Sequence, residues 1–244
     1  MKKKRVLNSF SMKWFLLTFS ILSILGIFGF LFFSYTPPYF SPSSTIPPIN
    51  CLNVQQIQEL LASATSSPPT TAPRSIDDLV RQIAIGNPQS GPTCLGTVDA
   101  WLVEVKTFKR YPGSDFQPDG GNGWADRKRS KMTTAGLNYQ IIFFNSNGIA
   151  GNAVNNPKTV VDVMCELYSN GKMVELFIKH GSNGRHAWYL YNIECLEGFA
   201  YVSLIDPGYP DKTFNFVVYP SGHLEDGNGL FKGQIYGLGA AARN

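Results

Sequence analysis

Three short segments carry residue types that could do nucleophilic chemistry together. Gln89-Ser90-Gly91-Pro92-Thr93-Cys94-Leu95 reads as a tight turn entering a helix. Gly184-Arg185-His186-Ala187-Trp188-Tyr189-Leu190 puts a histidine at the start of an apolar-rich strand. Tyr201-Val202-Ser203-Leu204-Ile205-Asp206-Pro207-Gly208 puts an aspartate at the end of the next strand. If the two strands form a hairpin, His186 and Asp206 lie near one end of the sheet. Asp206 then orients the imidazole, and a side chain at the helix N-terminus meets the other ring nitrogen. A thiol at that helix start would be acidified by the helix dipole and by the imidazolium. Taken singly, each residue also has an ordinary role: Asp206-Pro207-Gly208 makes a good turn and Ser90 a good cap.

The order of these motifs resembles the papain-like cysteine peptidases, most closely the branch related to bacteriocin-leader-processing peptidases. Members of that branch typically open the catalytic helix with Cys-Gly-Pro-(Thr/Ala)-(Ser/Cys)-Leu. A Gly-His-(Ala/Phe) strand follows, then an Asn/Asp-Asp-Pro after the next strand. Here Gly91-Pro92-Thr93-Cys94-Leu95, His186-Ala187 and Asp206-Pro207 occur in that order, and the likeness covers residues 76–210. It implies a thiol peptidase or an inactive relative, with His186 as base and Asp206 as its orienter. The chain departs from the pattern at Ser90, where the family carries its nucleophilic cysteine. Three readings stay open: a retained fold without thiol chemistry, Cys94 as the working thiol after a local shift, or Ser90 as a hydroxyl nucleophile. The family's oxyanion-hole glutamine has two imperfect counterparts, Gln89 and Gln82. A transglutaminase-like acyl transferase is the second resemblance, on His186-Ala187-Trp188 and Asp206-Pro207. Its cysteine would have to stand closer to His186 than Cys94 and farther than Cys165.

The charge pattern limits the partners. Of 21 Lys and Arg residues, five precede an uncharged run at 14–33, which leaves 16 against 17 Asp and Glu. A nearly neutral body is no nucleic-acid binder on electrostatic grounds. The run at 14–33 is long enough for one transmembrane helix, and the basic residues before it orient residues 1–13 as a cytoplasmic tail. Residues 34–74, rich in Pro, Ser and Thr, read as an extended stalk holding one short amphipathic stretch at 53–64. The globular body is expected over 75–244, outside the cytoplasm and facing a peptide or protein partner. A non-catalytic surface module holding peptide in the same cleft is the alternative to the enzyme.

The body reads as α+β: a papain-like domain with N-terminal helices packed on an antiparallel sheet, behind the transmembrane helix. Ser75 is the expected N-cap of a first helix ending at Gly86, and a second helix follows Gly91-Pro92-Thr93 to about Lys106. Residues 110–130 read as a loop, and 158–169 as an amphipathic helix. Strands are expected at 139–144, 173–179, 187–193, 199–205 and 213–219. Arg127-Lys128-Arg129-Ser130-Lys131 reads as a solvated face, or else as a contact for anionic lipid or an acidic partner. His180 and His223 read as solvated. Four cysteines in an exported body allow disulfides, with Cys165 and Cys195 one possible pair, while Cys51 falls in the stalk. No Cys/His ligand spacing occurs, so neither a metal nor a cofactor is expected.

Overall fold

The apolar strands after Gly171 assemble into a sheet that curls on itself. The computed structural model describes residues 69–151, 156–181, 184–226 and 231–242. Its helices are α1 (Ser75–Gly86), α2 (Cys94–Thr107), α3 (Trp124–Thr134) and α4 (Val160–Ser169), with a 3-10 turn at Gly113–Asp115. Its strands are β1 (Tyr139–Phe143), β2 (Met173–His180), β3 (Gly184–Leu196), β4 (Phe199–Asp206), β5 (Tyr209–Val218), β6 (His223–Glu225) and β7 (Lys232–Ala241). The order is β1-β7-β2-β3-β4-β5-β6, and every pairing is antiparallel. Because β6 also pairs with the start of β7, strands β2 to β7 close into a ring. The far half of β7 carries β1, whose other edge meets no named strand.

Alternation along the strands feeds two cores. Val174, Leu176, Ile178, Trp188, Leu190, Phe214, Phe216 and Phe231 fill one, against α4. Met173, Phe177, Ala187, Tyr189 and Ile205 face the other, under Val80 of α1, Leu95 and Trp101 of α2 and Met132 of α3. Burial on both faces explains why β2 reads as a continuous apolar run rather than an alternating one. Helix α4 opens on a full capping box between Thr159 and Asp162. A disulfide from Cys165 to Cys195 then ties α4 to the end of β3. Across a sequence separation of 30, such a link contributes about 3–4 kcal/mol in the chain-entropy account.

The expected fold class needs correction. In place of a papain-like domain behind one transmembrane helix, the described residues form an α+β fold with four helices and one seven-stranded antiparallel sheet. No helix among them is long and apolar enough to cross a membrane. The expected tail, span at 14–33 and most of the stalk lie outside the described residues. Part of the expected loop at 110–130 is helical, because the chain resumes α-geometry after Gly123 at φ 74°. Ser75 is the first helical residue rather than the cap; the N-cap is Arg74, with no side-chain capping bond.

Strands β6 and β7 add to the expected five. Glycines disguise β7, and two of them are required by the crossing of aromatic rings. A Cβ at Gly237 would stand 2.9 Å from Phe177 Cδ2, and one at Gly239 would stand 2.1 Å from Tyr139 Oη. Gly239→Ala is therefore expected to cost about 1–3 kcal/mol through overpacking. Urea unfolding followed by tryptophan fluorescence measures it, and an unchanged midpoint would contradict the close approach.

Candidate functional site

The hairpin of β3 and β4 brings His186 and Asp206 together. His186 and Trp188 are two apart on β3 and so share a face. His186 Nε2 lies 2.5 Å from Asp206 Oδ2, and both side chains are almost wholly buried. The Trp188 indole N–H donates to the same oxygen. The Gly208 N–H donates to Oδ1 at 2.7 Å, closing the turn after β4. Asp206 is thus held by a histidine, a tryptophan and its own turn. With Asp206 ionised, the proton sits on Nε2 and Nδ1 carries the basic lone pair. Nδ1 is buried and has no hydrogen-bond partner among the described residues.

The loop before α2 reaches the same end of the sheet without delivering a nucleophile. The Gln89 backbone N–H donates to the Pro207 carbonyl at 2.8 Å, so the loop rests on the turn beside Asp206. The Gln89 side chain folds back, its amide donating to the Gly91 carbonyl at 2.6 Å. Ser90 is exposed, and its carbonyl accepts from Thr93 Oγ1 at 2.9 Å. Thr93, not Ser90, is the N-cap of α2. Cys94 is fully buried and disulfide-bonded, so its sulfur offers no thiolate in this state. Neither Ser90 nor Cys94 bonds to Nδ1. Of the five expected site residues, the fold joins His186 with Asp206, rests Gln89 against their turn, and gives Ser90 and Cys94 no hydrogen bond to Nδ1 of the imidazole.

A second polar centre escaped the sequence reading. Lys128 lies in the run read as a solvated face, yet it is 2% exposed. Its Nζ is 2.7 Å from Asp99 Oδ2 on α2. It also donates to Glu175 Oε2 at 3.0 Å and Oε1 at 3.2 Å on β2. Tyr139 Oη donates to Glu175 Oε2 at 2.8 Å. Burial, reinforced by Glu175, pushes the Asp99 carboxyl well above the usual carboxylate range. Burial also raises Glu175, against the pull of Lys128. A carboxylate inside the apolar stretch of β2, and another within α2, were the available signals.

A further opening lies elsewhere again. A groove of about 640 Å³ runs between the free edge of β1 and α4. Gln140, Ile141, Ile142 and Phe143 form one wall, and Val163 and Leu167 contribute apolar surface opposite. Among the described residues, Arg129, Lys158 and Lys172 line it as cations and Glu166 as an acid. The backbone direction along β1 is fixed by two bonds: Phe144 N–H donates inward to Tyr236, while Phe143 C=O accepts from Gly151 on the outer side. By alternation, the Ile141 N–H and C=O point outward, into the groove.

No protein-family model matches the chain, and no curated protein matches it.

Proposed function

We propose that this domain is a non-catalytic binding module, which takes an extended acidic peptide by strand addition along β1. The observation that carries the reading is the groove itself: a β1 edge that, among the described residues, pairs with no named strand, beside apolar walls and a net cationic lining. Main-chain hydrogen bonds to a free edge supply affinity, and alternate side chains fill the walls. Lys158 pairs with Glu166 at 2.6 Å and Arg129 with Asp126 at 3.0 Å, and the positive charge that remains, on Lys172, favours acidic side chains over basic ones.

The same proposal treats the His186–Asp206 pair as a peptidase-like pair kept without its nucleophile. Its support is the disulfide at Cys94 and the exposed position of Ser90. One observation favours the catalytic alternative, namely the unpartnered Nδ1 of His186, which would serve as a base for Ser90 if the loop moved. We place the domain outside the cytoplasm, because the Cys165–Cys195 disulfide suits an oxidising compartment and the basic-then-apolar N-terminal pattern suits export.

Fluorescence anisotropy with a capped peptide alternating valine and glutamate tests the reading. The labelled peptide is expected to bind the full chain, and a valine–lysine counterpart is expected to fail. Ile141→Pro removes the outward N–H while leaving the β1–β7 ladder intact, so it should abolish binding in a folded protein. Equal binding of both peptides, or unchanged binding in Ile141→Pro, would overturn the proposal. Steady release of peptide fragments, lost in His186→Ala, would favour the enzyme.

A further inference from the structure

The Lys128, Asp99 and Glu175 centre brings together the groups that a covalent reaction needs as well as those of an ion pair. One amine and two carboxyl groups sit together, each 2% exposed or less. All three ionised would leave a net negative charge in a dry site, which is costly. A neutral Asp99 beside an ionised Glu175 removes that excess. The neutral acid is then an electrophile, and the amine becomes a nucleophile once it gives a proton to Glu175.

The contacts are arranged in those roles. Lys128 Nζ makes true hydrogen bonds to both Glu175 oxygens. Its closer approach, 2.7 Å to Asp99 Oδ2, is an ion-pair contact, and both Asp99 oxygens are buried without a hydrogen bond of regular geometry among the described residues. Glu175 is steadied by the Tyr139 hydroxyl. The Phe177 ring lies 4.8 Å from Nζ and keeps the site apolar. A cavity of about 110 Å³ lined by Phe116, Gln117 and Lys128 gives a released water room to leave.

We propose that Lys128 and Asp99 condense into an intramolecular isopeptide bond, with Glu175 as the proton carrier. The Lys128 ammonium passes a proton to the Glu175 carboxylate. The freed lone pair attacks Cγ of the protonated Asp99 carboxyl, forming the C–N bond. Glu175 protonates the departing hydroxyl as the C–O bond breaks, and takes back a proton from the nitrogen. The products are an amide, one water and a neutral Glu175. No oxidant, reductant or external reagent enters. Held partners react at effective concentrations of about 10⁵–10⁸ M, which compensates for an unactivated acid. The product leaves no charge buried, so the site's own desolvation cost drives the reaction forward. The bond would lock α2 to α3 irrespective of the redox state of the disulfides.

Peptide mapping decides the matter. The full chain is denatured, reduced, alkylated and digested with trypsin, then sequenced by mass spectrometry. The expected product is peptide 82–106 joined through Asp99 to the dipeptide 128–129, one water lighter than the two together. Glu175→Gln should yield the separate, unmodified peptides from a protein with wild-type circular dichroism. Cleavage after Lys128 in the wild-type digest, with peptide 82–106 at its plain mass, overturns the proposal whatever the variant does. Water loss confined to Asp119-Gly120 or Asp226-Gly227, the mark of succinimide formation, overturns it as well. A Glu175→Gln protein that still carries the cross-link removes Glu175 from the mechanism as written.

Discussion

Asp77→Ala is expected to lower the stability of the domain by about 3–5 kcal/mol, the cost of removing one partner from a buried ion pair. Asp77 is fully buried near the start of α1. Arg74 grips it with two parallel bonds, Nε to Oδ2 at 2.6 Å and a terminal nitrogen to Oδ1 at 2.9 Å. Tyr189 of β3 donates to Oδ1 at 2.6 Å, and Tyr168 of α4 donates to Oδ2 at 3.1 Å. Arg74 also donates to the carbonyls of Tyr168 and Lys172 and stacks over the Tyr168 ring at 3.6 Å. One carboxylate therefore fastens α1 to α4 and to the sheet. Alanine would take the bidentate carboxylate from Arg74 and the acceptor from the buried Tyr189 hydroxyl, while Tyr168 keeps acceptors at the Tyr191 carbonyl and Asn192 Oδ1. Asp77→Asn should cost less, since the amide oxygen still accepts, but it cannot take the bidentate arginine and both phenols. Urea midpoints give the comparison, and a loss below about 1 kcal/mol for alanine would show that Asp77 does not fasten the layers.

In the ion-paired state that precedes any cross-link, Lys128→Met should be comparably severe at neutral pH, about 3–5 kcal/mol, and should steepen the pH response. Methionine fills most of the lysine stem but leaves Asp99 and Glu175 facing each other without a cation. Lys128 lowers both carboxyl pKa values, while burial raises them. Without it, both rise further above their unfolded values. A carboxyl whose folded pKa is raised contributes stability that is fully present below the unfolded pKa, near 4. That stability is lost as pH rises through the folded pKa. The variant should accordingly gain stability relative to wild type as pH falls from neutrality toward the unfolded carboxyl pKa, near 4. A difference between the two proteins that is flat with pH would mean the carboxyls do not feel the missing cation.

The parts of the fold that were legible from sequence are those where local pattern and tertiary role agree. The amphipathic helix at 158–169, the strand at 173–179 and the β3–β4 hairpin all follow from residues close in the chain. That is why His186 and Asp206 were found together: a hairpin is a local structure, and its ends are adjacent by construction. The state of Cys94 was not legible, because disulfide connectivity is a long-range property that spacing does not determine. Lys128 was misread because its neighbours Arg127 and Arg129 are exposed; on a helix, adjacent residues face different ways, so a run of like charges hides one that turns inward. Strand β7 was missed because its glycines are dictated by Tyr139 and Phe177, on other strands. The β1 groove is a property of strand order, which no single segment encodes.

Amide hydrogen exchange across β1, with and without the valine–glutamate peptide, tests the central claim most directly. The outward N–H of Ile141 exchanges with solvent when the edge is free and is protected when a strand adds to it. The account predicts slowed exchange centred on residues 139–143 in the presence of the peptide, with the peptide recovered intact. Unchanged exchange there, with protection instead around His186 and Ser90 and a cleaved peptide, would contradict it.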